Sequence, residues 1–411
     1  MRKAHAVFVV VALCLVLGGC GGGGGASSAS ESPEAKAPAT WQAPPRMETT
    51  EVAPPPMTMR EYKLPGGCSL QGYGKRLAVL FDRYTEESVG SPIRLLDLET
   101  GKHARVRERA VGFSEGYRML GLRCSDEWVA WEELKGDEQQ EPLAVRWRLY
   151  VARIDKDALS VGAPILVDEN QVSIASRPLF AFIGDEIFWM TNSMANTLQE
   201  GAVDGARVRA KKLPDGAMRE VLSGTSNYRT VYASEGRLFL SQFIDSKTEA
   251  ERLIVVDPAT GVTVDSHEME NIDREISHCP SAHDGALAWT IMPDPAAASC
   301  DVLYRGAGGP TMLVEEHAGD PLFVGSHIFY ESDKPESTGT GTERYVNRIR
   351  GVDPVSGGTF TLLEAERLQD GMWILPIRQP YSADSFLVVN DLSMRVDDSP
   401  DTTLVRRYTI K

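Results

Sequence analysis

One pattern recurs along the chain. A polar turn is followed by a short run dense in aliphatic and aromatic residues, and then by a polar stretch. Its seven copies are Lys75-RLAVLFD, Asp126-EWVAWEE, Asp185-EIFWMTN, Glu235-GRLFLSQ, Asp284-GALAWTI, Gly325-SHIFYES and Ala383-DSFLVVN. They lie about 40 to 60 residues apart, the period expected of propeller blades. Each run, a turn followed by a short apolar stretch, reads as one recurring type of strand.

The stretch from Arg237 to Val264 shows most of one repeat: strand, polar loop, strand, Asp-Pro-Ala-Thr-Gly turn, and the start of another strand. A separate apolar segment precedes the recurring run, as at 117–124, 177–184, 228–235 and 320–326. A third strand follows it, and in three copies that strand enters a matching turn, at 95–102, 255–262 and 351–358. In these Asp-x-x-Thr/Ser-Gly turns the Asp and hydroxyl side chains can bond turn backbone, and glycine supplies the positive φ. Fourth strands follow near Ala163, Thr311 and Thr361. Four strands in each of seven repeats predict an all-β chain folded as a seven-bladed β-propeller. Two separate β-sandwich domains are the competing architecture.

The last repeat stops after its third strand, residues 402–411. Met59-REYKL is well placed to supply the missing strand and so join both ends of the ring. The loops between second and third strands are long and polar: Glu132–Val145, Asn192–Ala206, Pro293–Cys300, Glu331–Val346 and Asp391–Thr402. In a propeller they share one face with the blade-to-blade crossovers, and the tight turns share the other. Function concentrates on loops carried by a rigid scaffold, so binding is expected on the long-loop face.

The repeat spacing and the Asp-x-x-Thr-Gly turns resemble those of bacterial propeller families of the TolB, BamB-like and quinoprotein-repeat kinds, over roughly residues 59–411. The quinoprotein repeat normally carries a tryptophan a few residues past its Thr-Gly. Here those positions hold residues such as Arg105, Val106, Val264 and Asp265, so the resemblance does not extend to the docking tryptophans or to a quinone. No cofactor is expected.

Before residue 58 the texture is different. Arg2 and Lys3 precede an apolar run, Ala6 to Leu17, that is short for a membrane span and suited to export. The run leads into Leu17-Gly18-Gly19-Cys20, which resembles a bacterial lipobox. That resemblance implies cleavage before Cys20 and acylation of its sulfur. Gly21 stands where an aspartate would favour inner-membrane retention in enteric bacteria, so an outer-membrane location is expected. Residues 21–57 are rich in Gly, Ser and Pro and cannot bury enough apolar surface to fold. The expected organisation is a signal peptide over 1–19, a lipidated cysteine and disordered linker over 20–57, and the propeller over 58–411.

The formal charge of −15 disfavours nucleic acid as a partner. Arg207, Arg209, Lys211 and Lys212 form a local basic patch that reads as a solvated edge strand. Beyond Cys14 and Cys20, four cysteines remain: Cys68, Cys124, Cys279 and Cys300. In an oxidising compartment they are expected to pair as neighbours in the repeat scheme, Cys68 with Cys124 and Cys279 with Cys300.

Chemistry is sparse. Gly112-Phe-Ser114-Glu-Gly116 has the G-x-S-x-G spacing of a hydrolase elbow, but strand-like sequence follows where that motif needs a helix, so a turn is expected. His278, Cys279, His283 and Cys300 could bind zinc, but a disulfide is the expected use of the cysteines. Ser281-Ala-His283-Asp284-Gly285, ending in Trp289, resembles the Asp-box of sialidase propellers with one extra residue, and a plain hairpin turn is preferred. Asp137/Glu138 and Asp397/Asp398 lack the rhythm of a calcium loop. Tryptophans 128, 131, 189 and 289 fall on second strands and are expected in the core. With neither catalytic nor metal-ligating residues assigned, the expectation is a membrane-anchored, non-enzymatic binding or scaffolding module that docks an envelope protein or glycan on its long-loop face. A propeller hydrolase or lyase acting on polysaccharide is the alternative.

Overall fold

The computed structural model describes residues 43–82, 92–136, 145–170, 177–191, 206–223, 228–245, 250–268, 280–294, 299–332, 335–337, 343–366, 373–376, 384–391 and 402–411. They form seven sheets, one per repeat, each built around antiparallel blade strands. Blade 1 is Ser69–Tyr73, Leu77–Phe81, Ile93–Asp97 and His103–Arg107. Blade 2 is Arg118–Cys124, Trp128–Gly136, Val145–Asp155 and Ile165–Asn170, with Ser160–Val161 beside the third strand. Blade 3 is Leu179–Ile183, Glu186–Thr191, Arg207–Lys212 and Met218–Ser223. Blade 4 is Tyr228–Ser234, Arg237–Asp245, Ala250–Val256 and Thr263–Glu268. Blade 5 is Ser281–His283, Ala286–Asp294, Ser299–Arg305 and Thr311–Glu316. Blade 6 is Ala318–Val324, His327–Ser332, Glu343–Val352 and Gly358–Glu366, with a short extra strand at Pro335–Ser337. Blade 7 is Trp373–Pro376, Ser385–Asp391 and Thr402–Ile410, completed by Met57–Pro65 from the other end of the chain. The chain is a seven-bladed β-propeller of four-stranded blades.

The recurring run is the second strand of every blade. Its side chains alternate between the two neighbouring blades: Val129 and Trp131 pack toward blade 1, Trp128 and Ala130 toward blade 3. Both faces of each sheet are therefore covered, and the run reads as continuously apolar rather than alternating. Seven apolar clusters fill the seven junctions between consecutive blades. Trp131, Trp189 and Trp289 are fully buried in them, as expected.

The ring closes inside blade 7. Met57–Pro65 pairs antiparallel with Thr402–Ile410 in an unbroken register, from Met57 opposite Ile410 to Pro65 opposite Thr402. Tyr62 and Leu64 from that strand enter the core between blades 7 and 1. The segment before it departs from expectation. The linker was to run to residue 57, but from residue 43 the chain is part of the body. Met47 donates to the Leu313 carbonyl and is buried between blades 5 and 6. Thr50–Glu51 then pairs parallel with the outer strand of blade 6. Gly357 is glycine for two reasons: its φ is +71°, and a side chain there would meet the Glu48 carbonyl of this strap. Backbone groups of two outer edges are satisfied in this way, which offsets what the strap loses in freedom.

Two further expectations are corrected. Cys68 and Cys124 are not joined. Each is a free thiol buried in a different junction, Cys68 between blades 7 and 1, Cys124 between blades 1 and 2. They are neighbours in the repeat but face opposite sides of blade 1. Cys279 lies outside the described residues, so its pairing with Cys300 does too. The basic patch 207–212 is the third strand of blade 3, not an edge: Met218–Ser223 pairs outside it, and Arg209 binds Asp168 of blade 2 at 2.7 Å.

Candidate functional site: a groove on the tight-turn face

The turns between first and second strands gather on one face, and backbone chemistry fixes them there. In blade 2, the Ser125 hydroxyl accepts the amides of Glu127 and Trp128 at 3.2 and 3.0 Å. The Asp126 carboxylate reaches back to blade 1 and accepts the amides of Arg76 and Leu77 at 2.9 and 3.2 Å. Adjacent turns are thus stapled to one another.

Further out on the same face lie the turns between third and fourth strands. The Asp97, Asp257 and Asp353 carboxylates each accept hydrogen bonds from the backbone of their own turn. Asp155 does the same in blade 2, accepting the amides of Asp157 and Ala158. There the left-handed position is Leu159, with φ +49°, not glycine. This fourth copy of the turn carries no Thr-Gly and was invisible to the motif.

Between these turns run two clefts. One, of 370 Å³, is lined by Lys75, Ser125, Asp126, Glu127, Gly184 and Asp185 from blades 1 to 3. The other, of 610 Å³, lies over blades 1 and 2 and includes Arg76, Glu127, Arg153, Asp155, Lys156 and Asp157. Glu127 lines both, so the two clefts adjoin at this residue and are together called the tight-turn groove. Their volumes fall in the range of small-molecule sites. The walls carry both signs of charge. Arg76 is held by Asp97 at 3.0 Å, which raises its pKa, and it also faces Asp157 at 3.8 Å. Burial pushes Asp97 up, but hydrogen bonds from Arg76 and from the turn amides outweigh it and hold the carboxyl below its ordinary range.

The long-loop face was expected to bind. Much of residues 132–145, 192–206, 293–300, 331–346 and 391–402 lies outside the described residues, as do Asp137/Glu138 and Asp397/Asp398. What is described there are buried carboxylates at the ends of second strands. Glu133 accepts hydrogen bonds from the amides of Val111 and Gly112, at 2.6 and 2.9 Å, and from Trp131 Nε1 at 2.9 Å. It fixes the crossover from blade 1 to blade 2. Ser114 sits in that crossover, in a single 3₁₀ turn at Phe113–Glu115 that ends at left-handed Gly116 and is followed by strand. It makes no hydrogen bond to a histidine among the described residues, so the G-x-S-x-G spacing is a turn, as expected.

The suggested zinc quartet does not assemble. His283 ends the first strand of blade 5 on the tight-turn face, while Cys300 begins the third strand at the other end of the blade. His278 lies outside the described residues. The Asp-box-like stretch is a plain hairpin turn, with φ +48° at Asp284 and +77° at Gly285. Sequence reasoning missed the groove because it weighed loop length, and the groove is built from the shortest turns. Its signal was present in the charged residues, Lys75, Asp126 and Asp185, that open three of the seven copies.

No known family matches the sequence, and no curated relative does. Among solved structures, the chain is similar to a prolyl endopeptidase at 12% identity and TM-score 0.46, over 81% of this chain and 46% of that one. It is similar to a puromycin hydrolase at 12% identity and TM-score 0.41, over 86% and 62%. It is also similar to the β-propeller domain of the trilobed protease from Pyrococcus furiosus, at 13% identity and TM-score 0.43, over 71% and 80%. The chain spans less than two thirds of the first two proteins, and at these identities the likeness shows the fold alone. The expectation of a non-enzymatic binding or scaffolding module is withdrawn: the solved neighbours are described as peptidases and hydrolases, not as scaffolds.

Proposed function

We propose that the chain has a peptidase-related function at a bacterial envelope, with the tight-turn groove holding a peptide. The observation that carries this reading is the pair of clefts that meet at Glu127, one lined by Lys75, Asp126 and Asp185, the other by Arg76, Arg153, Asp155, Lys156 and Asp157. A short extended peptide has an ammonium, a carboxylate and polar amides between them, and this lining can pair with all three. The names of the solved neighbours agree with the reading. Attachment through an acylated Cys20 belongs to the same reading and rests on the pattern of residues 2–20.

The test uses the full chain with fluorescent oligopeptides and with fluorogenic peptide amides. Peptides with free ends should bind, blocked peptides should bind about tenfold more weakly, and the double variant Glu127→Lys, Arg153→Glu should lose the preference. Equal, weak binding of all peptides together with no hydrolysis of any amide would sink the reading. Labelling of wild type but not of Cys20→Ala by an alkyne fatty acid checks the anchor.

A further inference from the structure

Away from the groove, the same face brings together an imidazole and two carboxylates from different blades. Glu235 lies in the first turn of blade 4; His283 and Asp284 lie in the first turn of blade 5. One ligand atom from each of the three falls within 4.8 Å of the others. His283 Nδ1 is 3.2 Å from Glu235 Oε1, and its Nε2 is 3.7 Å from Asp284 Oδ2.

The surroundings hold this set in place. The Asp284 amide donates to Glu235 Oε1 at 3.1 Å. The Ala282 amide donates to the Ser234 hydroxyl at 3.3 Å, tying the two blades together one residue before the ligands. The His283 ring lies 5.8 Å from the Phe323 ring of blade 6, which limits its rotation. Backbone conformation adds an independent argument. Glu235 has φ +46° and is followed by Gly236 at +69°. Such two-residue hairpin turns favour Asn-Gly or Asp-Gly, and a longer side chain at the first position is uncommon. Glutamate costs more there than aspartate would, but its extra methylene carries the carboxylate across to blade 5.

We propose that Glu235, His283 and Asp284 form a divalent transition-metal site bridging blades 4 and 5. One nitrogen and two carboxylate oxygens suit zinc and its neighbours better than calcium or magnesium, which take oxygen alone. Three protein ligands leave a fourth tetrahedral position for water. A metal here joins two blades that are otherwise held by packing and hydrogen bonds.

The experiment titrates the full chain with Zn²⁺ by calorimetry and with Co²⁺ by visible absorption. Wild type should bind one equivalent that is absent in His283→Ala and weakened at least about 100-fold in Glu235→Ala. The wild-type melting temperature should rise with Zn²⁺ and fall back in chelator. The variants should melt near the wild type when all are in chelator, which separates loss of a ligand from loss of the fold. Binding that survives both substitutions, or a wild type that takes up no metal, would overturn the site; in the second case the three residues are a salt-bridge staple.

Discussion

Two junctions of the ring each bury a carboxylate near the long-loop end of a second strand, and they treat it differently. Between blades 7 and 1, Asp82 is paired by Arg94 at 2.5 and 2.9 Å, by Arg105 at 2.6 Å, and by the Cys68 thiol at 3.3 Å. Burial alone would raise its pKa, but these donors outweigh it and hold the carboxyl low. Between blades 2 and 3, Glu132 is fully buried. One of its oxygens takes the Gly121 amide at 3.0 Å and the Arg177 guanidinium, while the other finds no partner among the described residues. Its pKa is raised, chiefly by burial, with Arg177 opposing. The lesson lies in where the cations come from. Arg94 and Arg105 stand on the third and fourth strands of the same blade, so the pairing geometry is fixed by the sheet. Arg177 stands on a crossover and is half exposed, so its charge is shared with water. The same kind of group is stabilising at one junction and tolerated at the other.

The largest effect is expected from removing the strand that seals the first junction. Deleting residues 57–65 strips Tyr62 and Leu64 from that core and leaves Thr402–Ile410 as a bare edge. The loss should approach the whole stability of a domain, about 5–15 kcal/mol, and abolish a cooperative melt by circular dichroism. An unchanged melt would mean that the seal carries little.

Next in size is the carboxylate itself. Asp82→Ala leaves Arg94 buried without its partner and should cost about 3–5 kcal/mol in denaturant unfolding at neutral pH. The pH dependence has a definite sign. Because its folded pKa is depressed, the Asp82 contribution is complete above the unfolded carboxyl value of about 3.9 and is lost as pH falls through the lower folded value. The gap between wild type and variant should therefore close only in strong acid. Cys68 follows the same group: burial first, then the Asp82 charge, pushes its thiol up to about 12. It should resist alkylation in the native protein at pH 8 and react in urea.

Much of this architecture was legible in the sequence because it depends on local rules. The seven apolar runs, the Asp-x-x-Thr-Gly turns and the missing last strand are patterns of periodicity and turn chemistry, and each lies where the run of residues puts it. What could not be read depends on which side of a strand a residue faces across the ring. Cys68 and Cys124 sit close in the repeat but point into different junctions. Glu132 and Glu133 are adjacent, yet one is satisfied by three donors and the other is not. The groove escaped for a related reason: its walls come from turns of three blades about 50 residues apart, and no single turn announces it.

The smallest and sharpest effect is expected at Glu132. Its raised pKa means that the ionised form is penalised in the folded state. Stability present below the unfolded glutamate value of about 4.3 is lost as pH rises through the higher folded one. Glu132→Gln keeps the shape and an oxygen to accept from Gly121, and removes the charge. Gly121 has no room for a side chain against this carboxylate, so the glutamine must occupy the same space. The variant should be neutral or more stable than wild type by about 1–2 kcal/mol at pH 8, because the half-exposed Arg177 returns to water while a buried carboxylate with only one of its oxygens satisfied is removed. The gain should vanish at pH 4, where Glu132 already holds a proton. A loss of about 3 kcal/mol at pH 8, matching the direction at Asp82, would show that Arg177 satisfies Glu132 as fully as Arg94 and Arg105 satisfy their partner, and the contrast between the two junctions would then fail.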